Sequence, residues 1–587
     1  MLVLVRFSRS ADFLPDGSDM QYYSEWALRI ARGQWTDHLA FYGLPGYAYL
    51  LAGFYYLLGF DPFTVALVQA GLFAGIATLV FGLARQITVA NRQGDACEAN
   101  IAGVMAAVGW MFFVPAQTYT TILMPTIWGV GGFWLCVLVI SGGRKLTELQ
   151  WLGIGLLIGL LATISATAFT LVPLVIAAIA LSAGREAREA RVLSKLLLPV
   201  IACFAGIGLG IAPAWIHNHI VAHDKVALSS HSGINLWIGN NPTATGYPKM
   251  PPGIRPTQSG SMHDSIVLAE QAAGRKLSRG EVSQYWAGRA KEFVRAHPAE
   301  WVRLLGRKLF NFWNAYSYDD VTSIVRLRAL KVTWPGVSFG WVAVFGLAGM
   351  ATFGWSSLPG RFTTAAIILH MAALLPAFVT ERYRLLAVPG LIAFGAAWII
   401  EMQQRLARGE FARMAVPGTA AVVAALFVAQ PQTDTSLWSL DYYEAGIRQT
   451  ETGQLGAAQK SLALALAYEP RSADIYFALG NLSLAKENRD GAKACYRRAL
   501  ELNPVHDGVL NNLGVLAMEE KRWPLAESFF LKSLQTEPED PKTFYLLARV
   551  RLERGDRDGA RTALNEALRR RPGQREFLEL QTQIETR

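Results

Sequence analysis

Residues 476–504 read YFALGNLSLAKENRDGAKACYRRALELNP, and the spacing of small, aromatic and proline residues in this stretch returns on both sides of it. Pro470, Pro504, Pro538 and Pro572 stand 34 residues apart. Twelve residues before each proline comes Ala458, Ala492, Ala526 or Ala560, and five before it Ala465, Ala499, Ser533 or Ala567. Tyr442, Tyr476, Leu510 and Phe544 open the units, and Gly446, Gly480, Gly514 and Ala548 follow four places on. Small residues at fixed offsets let two helices cross closely. A proline then ends the second helix, because its ring clashes with the preceding turn and it has no N–H to donate.

This is the period and pattern of the tetratricopeptide repeat, two antiparallel helices per unit. Four repeats are expected over residues 439–575, with 576–587 as a helical cap or tail. Such stacks form an α-solenoid with a concave face for a peptide or protein. A protein partner is the preferred reading here over a spacer or a self-association element, and Arg569–Arg571 read as a solvated helix end.

Upstream the composition changes. The whole chain of 587 residues is 52% hydrophobic and 17% charged, against about 25% charged in a soluble domain. The charge is concentrated after Asp434, whereas long apolar runs dominate from Gly43 to Ala429. A bilayer core needs roughly 20 apolar helical residues. Candidate spans are Phe63–Ala84, Ile101–Ala116, Ile122–Ile140, Trp151–Ile164, Phe169–Leu181 and Leu196–Trp215. After a long polar loop come Val337–Phe353, Thr363–Val379, Leu385–Ile400 and Ala415–Ala429. The fold class expected is all-α, a polytopic membrane bundle over 1–430 followed by the solenoid.

Basic residues orient the spans. Arg85 and Arg92, Arg144 and Lys145, Arg185, Arg188, Arg191 and Lys195, Arg361, and Arg405, Arg408 and Arg413 all fall on one side of this threading. By the positive-inside rule that side is the cytoplasm. Residues 1–62, the loop 217–335, the turn Glu381–Arg384 and the repeats then face outward, which predicts a bacterial inner-membrane protein with a periplasmic repeat domain. Met1–Phe7 is too short to span, so either the N-terminus is external or an upstream helix has been lost; the second is preferred. The net charge of +10 is read as basic loops at a membrane surface, not as a nucleic-acid footprint. Cys97, Cys136, Cys203 and Cys495 share no metal-ligand spacing and no disulfide framework.

The spans are nearly free of ionisable groups, His370 being the main exception. Ion-coupled transporters bury acids or bases at mid-membrane, so a transporter is disfavoured and the outer loops become the place to look for chemistry. The first loop carries Asp16 and Asp19 at the start of a helix, where an acid is also an ordinary cap. Tyr22, Tyr23, Trp26 and the aromatic run after Pro45 read as an interfacial helix. The stretch Val282–Phe312, with Lys291, Arg295, Arg303, Arg307 and Lys308 among Trp286, Phe293, Trp301 and Phe310, reads as amphipathic and interfacial, guiding an anionic lipid or anchoring the loop. His219, His223 and His231 lack the spacing of a metal site.

An acid followed by a Tyr-rich helix, then Gly33 and Pro45-Gly-Tyr47, resembles the first outer loop of glycosyltransferase family 39. That family comprises polyprenyl- or dolichyl-phosphate-sugar-dependent mannosyltransferases and aminoarabinose transferases with the GT-C fold. Pro213-Ala-Trp-Ile-His-Asn218 resembles the family's Pro-Trp-x-x-Arg-Asn. Gly233-Ile-Asn-Leu-Trp-Ile-Gly-Asn-Asn-Pro242 with Gly246, and Glu381-Arg-Tyr-Arg384 before Pro389, continue the likeness over about residues 12–400. The resemblance implies transfer of a sugar from a polyprenyl-phosphate carrier to a hydroxyl of a protein, lipid or glycan on the outer face.

It assigns Asp19 as the base, with Asp16 in reserve. Tyr23, Arg382, Arg384, Asn218 and Asn240 would line the substrate site. Arginine suits a phosphate clamp, although cations at a membrane edge also serve as anchors. Asn240 and its glycines make turns on their own account, so that loop is read equally as structure or as a sugar or phosphate site. Two departures matter. Pro125 stands where the family carries a second acid, in Tyr119-Thr-Thr-Ile-Leu-Met-Pro-Thr126, and His217 replaces the arginine of the Arg-Asn pair. Glu25 or Asp37 could supply the missing partner. The sequence allows a divalent cation without supporting one, and no metal ligands are assigned. The alternative reading is a non-catalytic scaffold for an envelope or polysaccharide assembly complex.

Overall fold

The computed structural model describes residues 2–8, 13, 18–91, 96–184, 192–251, 253–254, 258–318, 336–432, 434–537, 540–571 and 574–586. Asp16, Arg92, Arg185, Arg188, Arg191, Pro538 and Pro572 lie outside them. The chain divides into two compact units, Met1–Pro431 and Gln432–Arg587. Both are all-α, and among the described residues the only β pairing is an isolated bridge between Phe113 and Val337.

The first unit contains helices α1 (Leu2–Phe7), α2 (Ser18–Ala31), α3 (Gly46–Leu58), α4 (Pro62–Asn91), α5 (Ala96–Met111), α6 (Val114–Thr121) and α7 (Thr126–Ser141). These are followed by α8 (Glu148–Ala162), α9 (Leu171–Gly184), α10 (Val192–Ile216), α11 (Ser232–Gly239), α12 (Gln258–Ala273), α13 (Arg279–Ala296) and α14 (Pro298–Trp313). The last are α15 (Phe339–Phe353), α16 (Leu358–Leu374), α17 (Glu381–Arg384), α18 (Val388–Ala407) and α19 (Phe411–Val428). Among the described residues five stretches are long and apolar enough to cross a membrane: Pro62–Asn91, Ala166–Ala183, Leu196–Val221, Glu381–Ala407 and Phe411–Val428. Their outer faces stay apolar while exposed, as at Leu198, Ile201 and Leu209 of α10 and Val416, Val422 and Leu426 of α19. A water-facing helix would carry polar residues there.

Close helix approach rests on glycine. Gly155 and Gly159 of α8 face Gly206 and Gly210 of α10. A Cβ on Gly206 would lie 2.2 Å from the Leu152 carbonyl oxygen, and one on Gly155 2.0 Å from that of Cys203. This small-xxx-small pattern on both partners is how apolar helices pack without a hydrophobic driving force.

Between the expected spans Ile101–Ala116 and Ile122–Ile140 the chain bends: α6 and α7 meet at 120°, at the loop ending in Pro125. A break in apolar surroundings leaves backbone groups unpaired, and the buried Gln69 of α4 supplies partners. Its amide nitrogen donates to the carbonyls of Thr120 at 3.0 Å and Ile122 at 2.8 Å, and its oxygen accepts from Tyr47 at 3.0 Å.

The polar segments of the first unit build a second core of their own, from Tyr42, Ile234, Trp237, Val282, Trp286, Phe293 and Phe378. The stretch Val282–Phe312 is two helices, α13 and α14, parted at His297–Pro298. Ser278 starts α13 with a reciprocal cap to Glu281. Lys308 departs from the interfacial reading: it is fully buried, and its amine donates to Asn240 Oδ1 at 3.1 Å and the Leu375 carbonyl at 3.0 Å.

The second unit comprises α20 (Thr435–Glu451), α21 (Leu455–Tyr468), α22 (Ala473–Ala485), α23 (Arg489–Leu502), α24 (Asp507–Glu519), α25 (Trp523–Thr536), α26 (Pro541–Glu553), α27 (Arg557–Arg570) and α28 (Arg575–Thr586). Ala458, Ala492, Ala526 and Ala560 are completely buried. A Cβ on Gly480 would meet the Tyr496 ring at 2.3 Å, and one on Gly514 the Phe530 ring at 2.5 Å. Each hairpin turns through a positive φ at the same place in the repeat: Gly453, Glu487, Lys521 and Gly555. Phe577, Leu580 and Ile584 of α28 close the last apolar edge.

Candidate functional site

The short helix α17 is held on several sides. Thr380 caps it by accepting from the Tyr383 N–H at 3.3 Å, and the Glu381 N–H donates to the Tyr318 carbonyl at 2.9 Å. His370 Nε2 lies 2.9 Å from the Tyr383 carbonyl oxygen. Arg384 points inward, where Glu381 pairs with it and its guanidinium donates to the carbonyls of Asn314 and Tyr316, each at 2.8 Å. It also lies over the Phe339 ring, 3.7 Å from the centroid.

Arg382 projects the other way. Its Nη1 donates to Asp19 Oδ2 at 2.6 Å, joining residues 363 positions apart. Asp19 sits in the first turn of α2, where a carboxylate also meets the helix's free N–H groups. Side-chain exposures of 16% for Arg382 and 24% for Asp19 leave the pair shielded yet within reach of a ligand.

Aromatic groups wall the pair. Arg382 lies 5.0 Å from the Tyr383 ring centroid. Tyr23 packs edge-on against Tyr47 at 5.4 Å and against Tyr22 at 5.6 Å. Burial, then the Asp19 charge, pushes the Tyr23 phenol up; burial pushes Tyr22 up to about 12. Both stay neutral donors at neutral pH. His231, expected only to lack the spacing of a metal site, lies close enough to feel both Asp19 and Arg382, and burial lowers its pKa. Its backbone N–H and Nδ1 each lie 3.0 Å from the Tyr42 carbonyl oxygen. No spacing in the sequence pointed to it.

The remaining expected residues fall elsewhere. Asn218 is buried, accepts from the Phe41 N–H at 2.9 Å and donates to the Leu228 carbonyl at 3.2 Å. Asn240 is buried too: its amide donates to the carbonyls of Leu236 at 2.7 Å and Pro376 at 2.5 Å, and its oxygen accepts from Trp301 and Lys308. With Arg384, these residues are clamps that shape the loops, and their polar groups are committed to protein partners. His217 Nε2 meets Thr36 Oγ1 at 2.6 Å while its ring stacks on Phe41 at 4.0 Å.

Of the alternative acids, Glu25 is exposed and accepts from Gln21 at 2.8 Å, and Asp37 pairs with Arg279 at 3.3 Å. Pro125 is the residue before α7, and no acid stands in that turn. Among the described residues no three His, Cys, Asp or Glu side chains converge on a metal-sized site.

Comparison with known proteins speaks to the second unit. Residues 477–541 and 517–584 match tetratricopeptide repeat families. The C-terminal region is thus a tetratricopeptide-repeat domain, a class that generally binds protein partners. The lipoprotein NlpI homolog of Haemophilus influenzae is 32% identical over 100 residues, 17% of this chain and 32% of that protein. The chain thus spans about a third of that relative's length. Among solved structures, Pseudomonas aeruginosa PilF is 26% identical with a TM-score of 0.25, over 26% of this chain and 71% of that one. The Thermus thermophilus tetratricopeptide-repeat protein TTC0263 is 19% identical with a TM-score of 0.23, over 31% of this chain and 97% of that one. No match to glycosyltransferase family 39 or to a GT-C fold is found.

Proposed function

We propose that the first unit spans the bacterial inner membrane and moves a sugar from a polyprenyl-phosphate carrier to a hydroxyl acceptor on the periplasmic side. The observation that carries this reading is the contact of Asp19 with Arg382, the two groups such a transfer needs together. At rest the pair is mutually satisfied. A phosphate arriving at Arg382 competes for the guanidinium and frees Asp19 Oδ2. The acceptor hydroxyl then gives its proton to Asp19 while its oxygen attacks the anomeric carbon. The bond from that carbon to the phosphate oxygen breaks, its electron pair leaves with the phosphate, and Arg382 meets the growing charge. Arg384, Asn218 and Asn240 act as positioning residues, and the Tyr22–Tyr23 wall excludes water and offers hydroxyl donors. The repeat domain, in the periplasm, recruits the acceptor or an assembly partner.

A second reading is supported by Pro125 in the second-acid position: a membrane scaffold in which the Asp19–Arg382 pair only fastens α2 to α17. The test compares glycans and glycolipids of cells lacking the chain with cells complemented by wild type or by Asp19→Asn. Loss of a proton acceptor costs roughly 10²–10⁴ in rate, so one glycoconjugate should vanish with the gene and return only with wild type. Full restoration by Asp19→Asn would retire the transferase and leave the scaffold.

A further inference from the structure

Several arginines in the polar segments of the first unit are neutralised by a carboxylate: Arg275 by Glu281 at 2.7 Å, Arg279 by Asp37 at 3.3 Å, Arg382 by Asp19 and Arg384 by Glu381. Arg303 and Arg307 of α14 are not among these. Both are exposed, and neither meets a carboxylate among the described residues. The nearest acid along the helix, Glu300, faces His297 at 3.5 Å. Two arginines four residues apart on one helix repel each other, and an anion from outside the chain would relieve both.

The surroundings say which kind. Helix periodicity puts 303, 307 and 310 on one stripe. Phe310, at its foot, packs edge-on against Phe427 of α19, with centroids 6.1 Å apart. The end of α14 is tied to the end of α19: the Asn314 amide donates to the carbonyls of Val428 at 3.3 Å and Gln430 at 2.7 Å, and the Ala315 N–H to that of Val428 at 2.9 Å. Below that tie α19 exposes Val422, Val423 and Leu426, and α14 itself exposes Val302 and Leu309. The two cations thus stand at the head of an exposed apolar surface belonging to a helix long enough to cross a membrane.

We infer that Arg303 and Arg307 hold the phosphate of an anionic phospholipid of the surrounding bilayer, whose acyl chains lie along α19. The inference rests on the membrane-spanning reading of the first unit and is independent of sugar transfer. Guanidinium forks suit a phosphate bidentately. A water-soluble peptide would not be matched by an apolar floor that continues down a span-length helix.

The full chain, purified in mild detergent, is titrated with phosphatidylglycerol or phosphatidylcholine and its bound lipids are counted by native mass spectrometry. Arg303→Gln/Arg307→Gln should bind phosphatidylglycerol roughly 30-fold more weakly, the loss of two interfacial cations. Its phosphatidylcholine binding should not change. Arg303→Lys/Arg307→Lys should keep only the part of the affinity that rests on charge, and Arg275→Gln all of it. Equal phosphatidylglycerol affinity in wild type and the Gln pair would overturn the inference, as would a parallel loss of phosphatidylcholine. Displacement of phosphatidylglycerol from wild type by equimolar polyprenyl phosphate would reassign the stripe to the donor lipid. Failure of the membrane reading shows separately, as release of the chain from membranes by alkaline wash without detergent.

Discussion

Replacing Glu487 and Lys521 by glycine should stabilise the repeat domain. Both residues turn between paired helices with φ of 60° and 57°, at the place where the outer repeats use Gly453 and Gly555. A side chain in that left-handed region costs roughly 1–2 kcal/mol. Glycine removes that strain but loses about 0.5–1 kcal/mol through a freer unfolded chain. The net gain is about 0.5–1 kcal/mol per turn, or about 1–2 kcal/mol for the pair, since separate turns add to within about 0.5 kcal/mol. With a urea slope of about 2 kcal/mol/M, the midpoint for residues 432–587, followed by far-ultraviolet circular dichroism, should rise by about 0.5–1 M. Gly453→Ala and Gly555→Ala should move it the opposite way. A midpoint that stays put or falls on the glycine substitutions would refute the argument, because it would mean that Glu487 and Lys521 make compensating contacts.

Two further outcomes follow from the first unit. Burial pushes the Lys308 amine from its ordinary 10.5 down to about 7. Below pH 7 the folded and unfolded chains both carry the proton, so the cost of burying the charge is fully present; it fades as pH rises from about 7 toward 10.5. Lys308→Met should therefore show its most favourable melting temperature relative to wild type at pH 6 and lose that advantage by pH 10, and an advantage that grew with pH would contradict the burial argument. Gly206→Val should destabilise the detergent-solubilised chain by about 1–3 kcal/mol or more, because its Cβ would come within 2.2 Å of a carbonyl oxygen on α8. Unchanged melting would mean that α8 and α10 do not cross as closely as described.

The repeat domain was legible because its information is local and periodic. Gly446, Gly480 and Gly514 each meet a side chain of the second helix of their own hairpin, so spacing along the chain is enough to name the contact. The turn at Tyr119–Thr126 was legible between two apolar runs, but what supports it was not. Pro125 marked it, yet whether a break is tolerated depends on Gln69, which reaches it from another helix.

In the candidate site the chain by itself determined which residue types stood in the outer segments: an acid at the start of α2, two arginines in α17, asparagines in loops. It could not sort them. Arg382 and Arg384 are two residues apart and chemically identical, and on a short helix they point to opposite sides. Only the placement of α17 between α2 and the Asn314–Tyr316 segment sends one to Asp19 and the other into a cage of carbonyls. Asn218, Asn240 and Lys308 were drawn inward for the same reason. Irregular backbone leaves buried carbonyl and N–H groups that must find partners, and which side chain satisfies them is a matter of three-dimensional proximity that no spacing along the sequence records.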